Sequence, residues 1–203
     1  MIKLKANSMV LALLAFCVMA SPQVRAESEQ LTQRTARQVQ LAYEMQLNEK
    51  PNEAIDLLKG VSTTKKYDIA YIARMLGGLY WQIEQPKQAI KALTLAVEEK
   101  VLASEQHRDA QRMLADILLM EGEYQLAEYT YRELVPVYTR VSDLELVWLR
   151  IAQAQYQQQK WSLVETSINH QQRYLKEAKL QPKVTPLNMK LGAQIAQKNG
   201  TVH

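Results

Sequence analysis

The residues that could do chemistry are few, and their spacing argues against most of it. His107, His170 and His203 stand far apart, with no His-x-x-x-His or His-Glu pairing to set two zinc ligands on one helix face. His107-Arg108-Asp109 has the first three letters of a phosphotransferase catalytic loop. The Leu and Asn that follow in such a loop are absent, as are a glycine-rich loop and an Asp-Phe-Gly triplet. Carboxylates are plentiful, but runs such as Glu98-Glu99-Lys100 read as solvated surface on polar helix faces. No catalytic residue, metal site or cofactor is expected. A soluble exported hydrolase stays as an alternative without a visible site.

Cys17, the single cysteine, belongs to a stretch that reads as a targeting segment. Lys3 and Lys5 precede an apolar run from about Met9 to Ala20, and Val24-Arg25-Ala26 offers small residues suited to a signal peptidase. The expectation is a secretory signal over 1–26, cleaved on export to the periplasm. The run is short for a membrane span, which needs about 20 residues, so an uncleaved anchor is the alternative. Phe16 stands directly before Cys17, where a lipoprotein signal needs a small residue, and argues against lipid anchoring. Without the signal, the chain has no cysteine for disulfides, thiolate metal sites or nucleophiles, and no apolar run long enough to span a membrane. Lys3, Lys5 and Arg25 supply three of the formal +4, leaving +1. The basic character of the whole chain is therefore no signal for nucleic acid or acidic partners.

The elements that would position any site are helical. Gly and Pro number only six each, which leaves little room for turn-rich β structure. One figure recurs: an apolar residue followed by a small one, then a second small site twelve residues on. It appears as Leu41-Ala42 with Ala54, Leu76-Gly77 with Ala89, Leu114-Ala115 with Ala127, and Ile151-Ala152 with Val164. Four residues after each second site stands a larger apolar residue: Leu58, Leu93, Tyr131 and Ile168. The first small residues are 35, 38 and 37 positions apart. Each copy reads as two helices joined by a tight polar turn, with Pro51 and Pro86 in the first turn of the second helix. Gly122 serves the third turn by permitting positive φ. Gly77 is expected to let its helix approach Ala89 closely; Gly78, beside it, has no part in that contact.

A helix pair of about this length with a small residue in each helix resembles the tetratricopeptide repeat, over nearly all of the chain after the signal. Trp148 followed by Ile151-Ala152 is similar to the family's Trp-x-x-Leu-Gly opening. Val164 where Ala is usual, and spacings longer than 34, are departures. The resemblance implies an all-α, right-handed superhelical solenoid of antiparallel helix pairs spanning 27–200. Four repeats fall at about 35–64, 70–100, 108–137 and 145–178. Thr185 to Gly200 repeats the first-helix pattern at Leu191-Gly192 without a second helix, and is expected to cap the solenoid over about 185–198.

Such solenoids bind partners mainly on the concave face lined by the first helices. Residues pointing away from the small-residue seam are Tyr43 and Gln46; then Tyr71, Arg74, Gly78, Trp81 and Gln82; then Asp109, Arg112, Asp116 and Leu119; then Gln153, Tyr156 and Gln157. Aromatic and Arg side chains among polar neighbours suit a protein or peptide partner, and Gly78 would leave room for its backbone. The alternative for Tyr71 and Trp81 is packing between neighbouring repeats. Tyr43 and Gly78 stand where repeats that clamp a chaperone's terminal carboxylate hold asparagines, so that specificity is not expected.

The run from Tyr67 to Gly77, Tyr-x-x-Ala-Tyr-x-x-Arg-x-Leu-Gly, with Leu114-Ala115-Asp116, is similar to periplasmic tetratricopeptide proteins associated with TonB-type energy-transduction systems. That resemblance implies a non-catalytic periplasmic adaptor whose partners include TonB-complex components and which assists uptake of iron complexes. An envelope-assembly adaptor, serving outer-membrane protein, peptidoglycan or secretion machinery, is the alternative.

Overall fold

The computed structural model describes residues 30–181 and 184–200; the expected signal with Cys17, Pro182 and His203 lie outside the described residues. Nine α-helices are described, and no strand among those residues: α1 Gln33–Leu47, α2 Pro51–Lys59, α3 Lys66–Gln82, α4 Pro86–Glu98, α5 Ser104–Met120, α6 Tyr124–Leu134, α7 Val141–Gln157, α8 Trp161–Glu177 and α9 Val184–Gly200. A short 3₁₀ turn, Val135–Val137, leads out of α6. Helices pack extensively only on near neighbours along the chain. The apolar core accordingly runs as three clusters in series, as expected of a solenoid.

The recurring figure is the spine of that core. Ala42, Ala54, Ala89, Ala115, Ala127, Ala152 and Val164 are fully buried, Gly77 is buried with them, and so are Leu58, Leu93, Tyr131 and Ile168. The small side chains let paired helices approach, and the large one a turn later fills the space beside them. One partner differs from expectation. The side chain pressed on Gly77 is Leu93, one turn beyond Ala89: a Cβ at Gly77 would lie 2.5 Å from Leu93 Cγ and 2.7 Å from Cδ2.

The four turns inside the pairs share one device. Glu49, Glu84, Gly122 and Gln159 each adopt positive φ, at 58°, 57°, 82° and 56°. The next N–H in each turn donates back to a carbonyl five residues earlier: Lys50 to Met45, Gln85 to Tyr80, Glu123 to Leu118 and Lys160 to Gln155. These bonds close helix ends in the manner of a Schellman motif. Only the third turn uses the glycine that the conformation favours.

Some carboxylates depart from the solvated reading. Asp68 of α3 is fully buried. It accepts hydrogen bonds from the Thr32 N–H (3.0 Å) and from the hydroxyls of Thr32 (2.6 Å), Thr35 (2.7 Å) and Thr63 (3.2 Å), tying the start of α1 to α3. Glu128 of α6 is also buried. It accepts from Arg132, Gln155 (2.8 Å), Gln158 (3.1 Å) and Lys160 (3.0 Å). Ser167 of α8 donates to Gln155 Oε1 at 2.8 Å, so one polar chain joins the third and fourth pairs. Glu145, likewise buried, accepts from Gln171 at 2.6 Å. The buried charges of Asp68 and Glu128 persist because each is multiply hydrogen-bonded.

Candidate protein-binding groove

First helices α3, α5 and α7 enclose a cleft of about 360 Å³. Its walls are Trp81 from α3, Arg112, Met113, Asp116, Ile117, Leu119 and Met120 from α5, and Arg150 from α7. Trp81 is held there by the close packing of α3 on the core, its ring half-buried against the second cluster. Met120 stands at the rim, 68 % exposed.

Asp116 organises the polar side of this cleft. It accepts a hydrogen bond from the Tyr131 hydroxyl at 2.5 Å, and lies 3.8 Å from an Arg112 nitrogen and 3.7 Å from Arg150 Nε. Burial first, then the bond to Asp116, pushes the Tyr131 phenol well above its ordinary range, so it stays a donor. Two guanidinium groups thus share one carboxylate that a tyrosine already engages. Their remaining N–H groups can serve a carbonyl or carboxylate, beside the apolar surface of Trp81, Met113 and Met120.

Of the residues expected to line the groove, Trp81, Arg112, Asp116 and Leu119 come together here. Asp109 and Arg112 line an adjoining cleft of about 500 Å³ with Arg108, Tyr138, Arg140 and Asp143; there Arg140 and Asp143 pair at 2.8 Å. Nearer the N-terminus, the Arg74 guanidinium stacks over the Tyr71 ring at 5.1 Å, and Tyr71 lies 6.2 Å from the Tyr67 ring. Gln46 and Gln82 hydrogen-bond to each other across α1 and α3 at 3.0 Å. Tyr43 is 55 % exposed. An ideal Cβ on Gly78 meets nothing within 4 Å, so that position is open. Tyr156 stands apart from this cleft: its ring packs edge-on to Trp161, and α9 approaches its hydroxyl at Gly192.

Met113, Ile117, Met120 and Arg150 escaped the sequence reading. Met113 and Arg150 each precede a stripe residue by three positions, Asp116 and Gln153, and Met120 follows Asp116 by four, so these border the stripe on the helix surface.

The second-helix side carries its own depression, of about 920 Å³, between α4 and α6. Ile90, Val97, Leu126 and Tyr129 line it, with His107 at its floor. Burial, then the charge of Lys100, holds the His107 imidazole below its ordinary pKa, and its buried Nδ1 has no hydrogen-bond partner. The triplet His107-Arg108-Asp109 is split by the helix, His107 toward this depression and Asp109 toward the cleft between α5 and α7. Among the described residues, no three His, Cys, Asp or Glu side chains gather as a metal site, and no helix is long and apolar enough to cross a membrane.

No protein-family model matches the chain, and no curated protein matches it. Among solved structures it is similar to the TPR-like repeats of a putative kinesin light chain from Podosopora anserina. That match has 19 % identity and a TM-score of 0.58, covering 82 % of this chain and 88 % of the other. A substituted form of those same repeats matches with 18 % identity and a TM-score of 0.50, covering 84 % and 97 %. The fold is that of a tetratricopeptide-like solenoid. A solenoid of this kind presents an extended concave surface.

Proposed function

We propose that this solenoid is a non-catalytic adaptor that holds a protein partner along its first-helix face. The observation that carries the reading is the cleft of Trp81, Arg112, Asp116, Met120 and Arg150, contributed by three successive first helices. It combines an aromatic wall, flexible methionines and guanidinium donors, the composition of a binding hot spot. Affinity capture from an envelope extract tests it: partners held by the native protein are lost to a folded Trp81→Ala/Arg150→Ala variant. An unchanged partner set contradicts the groove assignment.

The finer reading is a periplasmic accessory of a TonB-dependent system for iron-complex uptake. Its support is the reading of 1–26 as an export signal and the resemblance over Tyr67 to Gly77 and Leu114 to Asp116. Deletion of the gene then slows growth under iron limitation, and the purified protein binds a TonB-complex component. Normal growth on scarce iron, together with no such binding, points instead to an envelope-assembly adaptor.

A further inference from the structure

His107 breaks the register of the repeat. With Ala115 aligned on Gly77 and on Ala152, the matching positions of α3 and α7 hold Ile69 and Leu144, both aliphatic. His107 Nδ1 is buried and has no hydrogen-bond partner. An unpaired buried nitrogen opposes folding, a cost that an aliphatic side chain at this register avoids. The imidazole lies at the floor of the 920 Å³ depression between α4 and α6, within the size range of small-ligand pockets, about 300–1,000 Å³. The next repeat fills the same place with its own side chains. Trp148, aligned with Gln111, stacks on His170 of α8 at 4.2 Å, and Gln155, aligned with Leu118, bonds to Glu128 of α6 and Ser167 of α8.

The depression is polar at one end and apolar at the other. Short connections join α5 to α4 and α6, and it packs on both, so both run opposite to it. The ends of α4 and α6 therefore meet the start of α5. All four charged residues of the lining, Glu98, Lys100, Arg108 and Glu133, stand at that end with His107. Ile90, Leu114, Leu118 and Leu126 line the remainder. At about 1.5 Å per residue, His107 and Leu118 lie roughly 16 Å apart along α5, the reach of an extended medium-chain alkyl group.

The cations at the polar end are unanswered. Lys100 and Arg108 make no hydrogen bond or ion pair with any described residue. Arg108 stands on the wall shared with the cleft between α5 and α7. Glu98 from α4, with Glu133 and Tyr129 from α6, is exposed at the rim. At the imidazole, burial acts first and the charge of Lys100 second, and both disfavour the protonated ring.

We infer that this depression binds a medium-chain aliphatic carboxylate, its head beside Lys100, Arg108 and His107 and its tail running toward Leu118. Two free cations and a buried imidazole nitrogen supply donors for the carboxylate, and burial of the tail against leucine supplies affinity. A carboxylate in that place offsets the field of Lys100 and favours the protonated imidazole. Binding therefore raises the His107 pKa and strengthens as pH falls toward it. The site lies on the second-helix side and does not depend on the groove reading.

Calorimetric titration of the purified protein with dodecanoate, below its micelle concentration, tests the site. A single equivalent is expected to bind. Butyrate, which lacks the tail, and dodecyltrimethylammonium, whose head is cationic, bind about tenfold more weakly or not at all. Lys100→Gln/Arg108→Gln removes both free cations and weakens dodecanoate by about tenfold, with unchanged helical dichroism. No saturable binding, equal binding of either control, or indifference to the double variant overturns the inference. Ring-proton NMR locates the ligand. Saturating dodecanoate raises the pKa of the resonance that His107→Gln removes, and leaves that of His170 unmoved. A His107 resonance indifferent to bound dodecanoate overturns the site.

Discussion

Gly77 of α3 lies against the branched end of Leu93 on α4, so close that a Cβ at Gly77 would stand 2.5 Å from Leu93 Cγ. Its neighbour Gly78 faces open space. Adjacent glycines in one helix therefore have opposite roles. Gly77→Ala adds a better helix former but drives it into a fully buried leucine, and overpacking costs about 1–3 kcal/mol. Gly78→Ala has no clash and gains about 0.5–1 kcal/mol from helix propensity. Urea denaturation of the two variants checks the pair; equal shifts of the midpoint contradict it.

The positive-φ turns offer a second test. Glu84 adopts φ 57° where the third turn has Gly122. Replacing Glu84 with Gly relieves a conformation costing a β-carbon residue about 1 kcal/mol, partly offset by greater freedom in the unfolded chain. The melting temperature of Glu84→Gly is expected to rise slightly, and Gly122→Ala to lower it.

Asp68 and Glu128 make stability depend on pH. At both, burial alone would raise the carboxyl pKa. The opposing hydrogen bonds, from Thr32, Thr35 and Thr63 at Asp68, and from Gln155, Lys160 and Arg132 at Glu128, win and hold it below the ordinary value. A carboxyl whose folded pKa is depressed contributes stability fully above its unfolded value, near 4, and loses it as pH falls through the folded value. Stability therefore declines on acidification below about pH 4, and Asp68→Asn flattens that decline while costing about 2 kcal/mol at neutral pH. Equilibrium denaturation from neutral to acid pH reads both effects.

The Glu128 network is separable from the core. Glu128→Ala strands Gln155 among buried neighbours and releases Lys160 and Arg132, which are partly solvated. The loss is about 2 kcal/mol, most of it from the unpaired buried amide. Hydrogen exchange in α7 and α8 is expected to accelerate more than in α1 to α3; uniform acceleration contradicts a local role.

The architecture was legible because its cause is short-range and repeated. A small residue, a partner twelve on and a large apolar residue four beyond write the helix crossings directly into the chain, and all of these positions are buried. Partners across a crossing were less legible. Ala89 looked like the counterpart of Gly77 because both are small, yet the helices are offset by a turn and Leu93 fills the gap. Asp68 and Glu128 sit among polar residues in sequence, and most of their donors stand 27 to 36 positions away. In the groove, Trp81, Arg112 and Asp116 followed from helical spacing, whereas Met113, Met120 and Arg150 border that stripe and line the cleft where three helices converge.

Whether the first-helix face holds the partner is tested most directly by photocrosslinking from single positions in the native envelope. Met120 at the cleft rim and Tyr129 on the second-helix side are comparably exposed, at 68 % and 64 %. A photoreactive residue at Met120 is expected to give a discrete protein adduct that Trp81→Ala/Arg150→Ala removes, with none from Tyr129. An adduct from Tyr129 alone, or from neither position, would contradict binding in the groove.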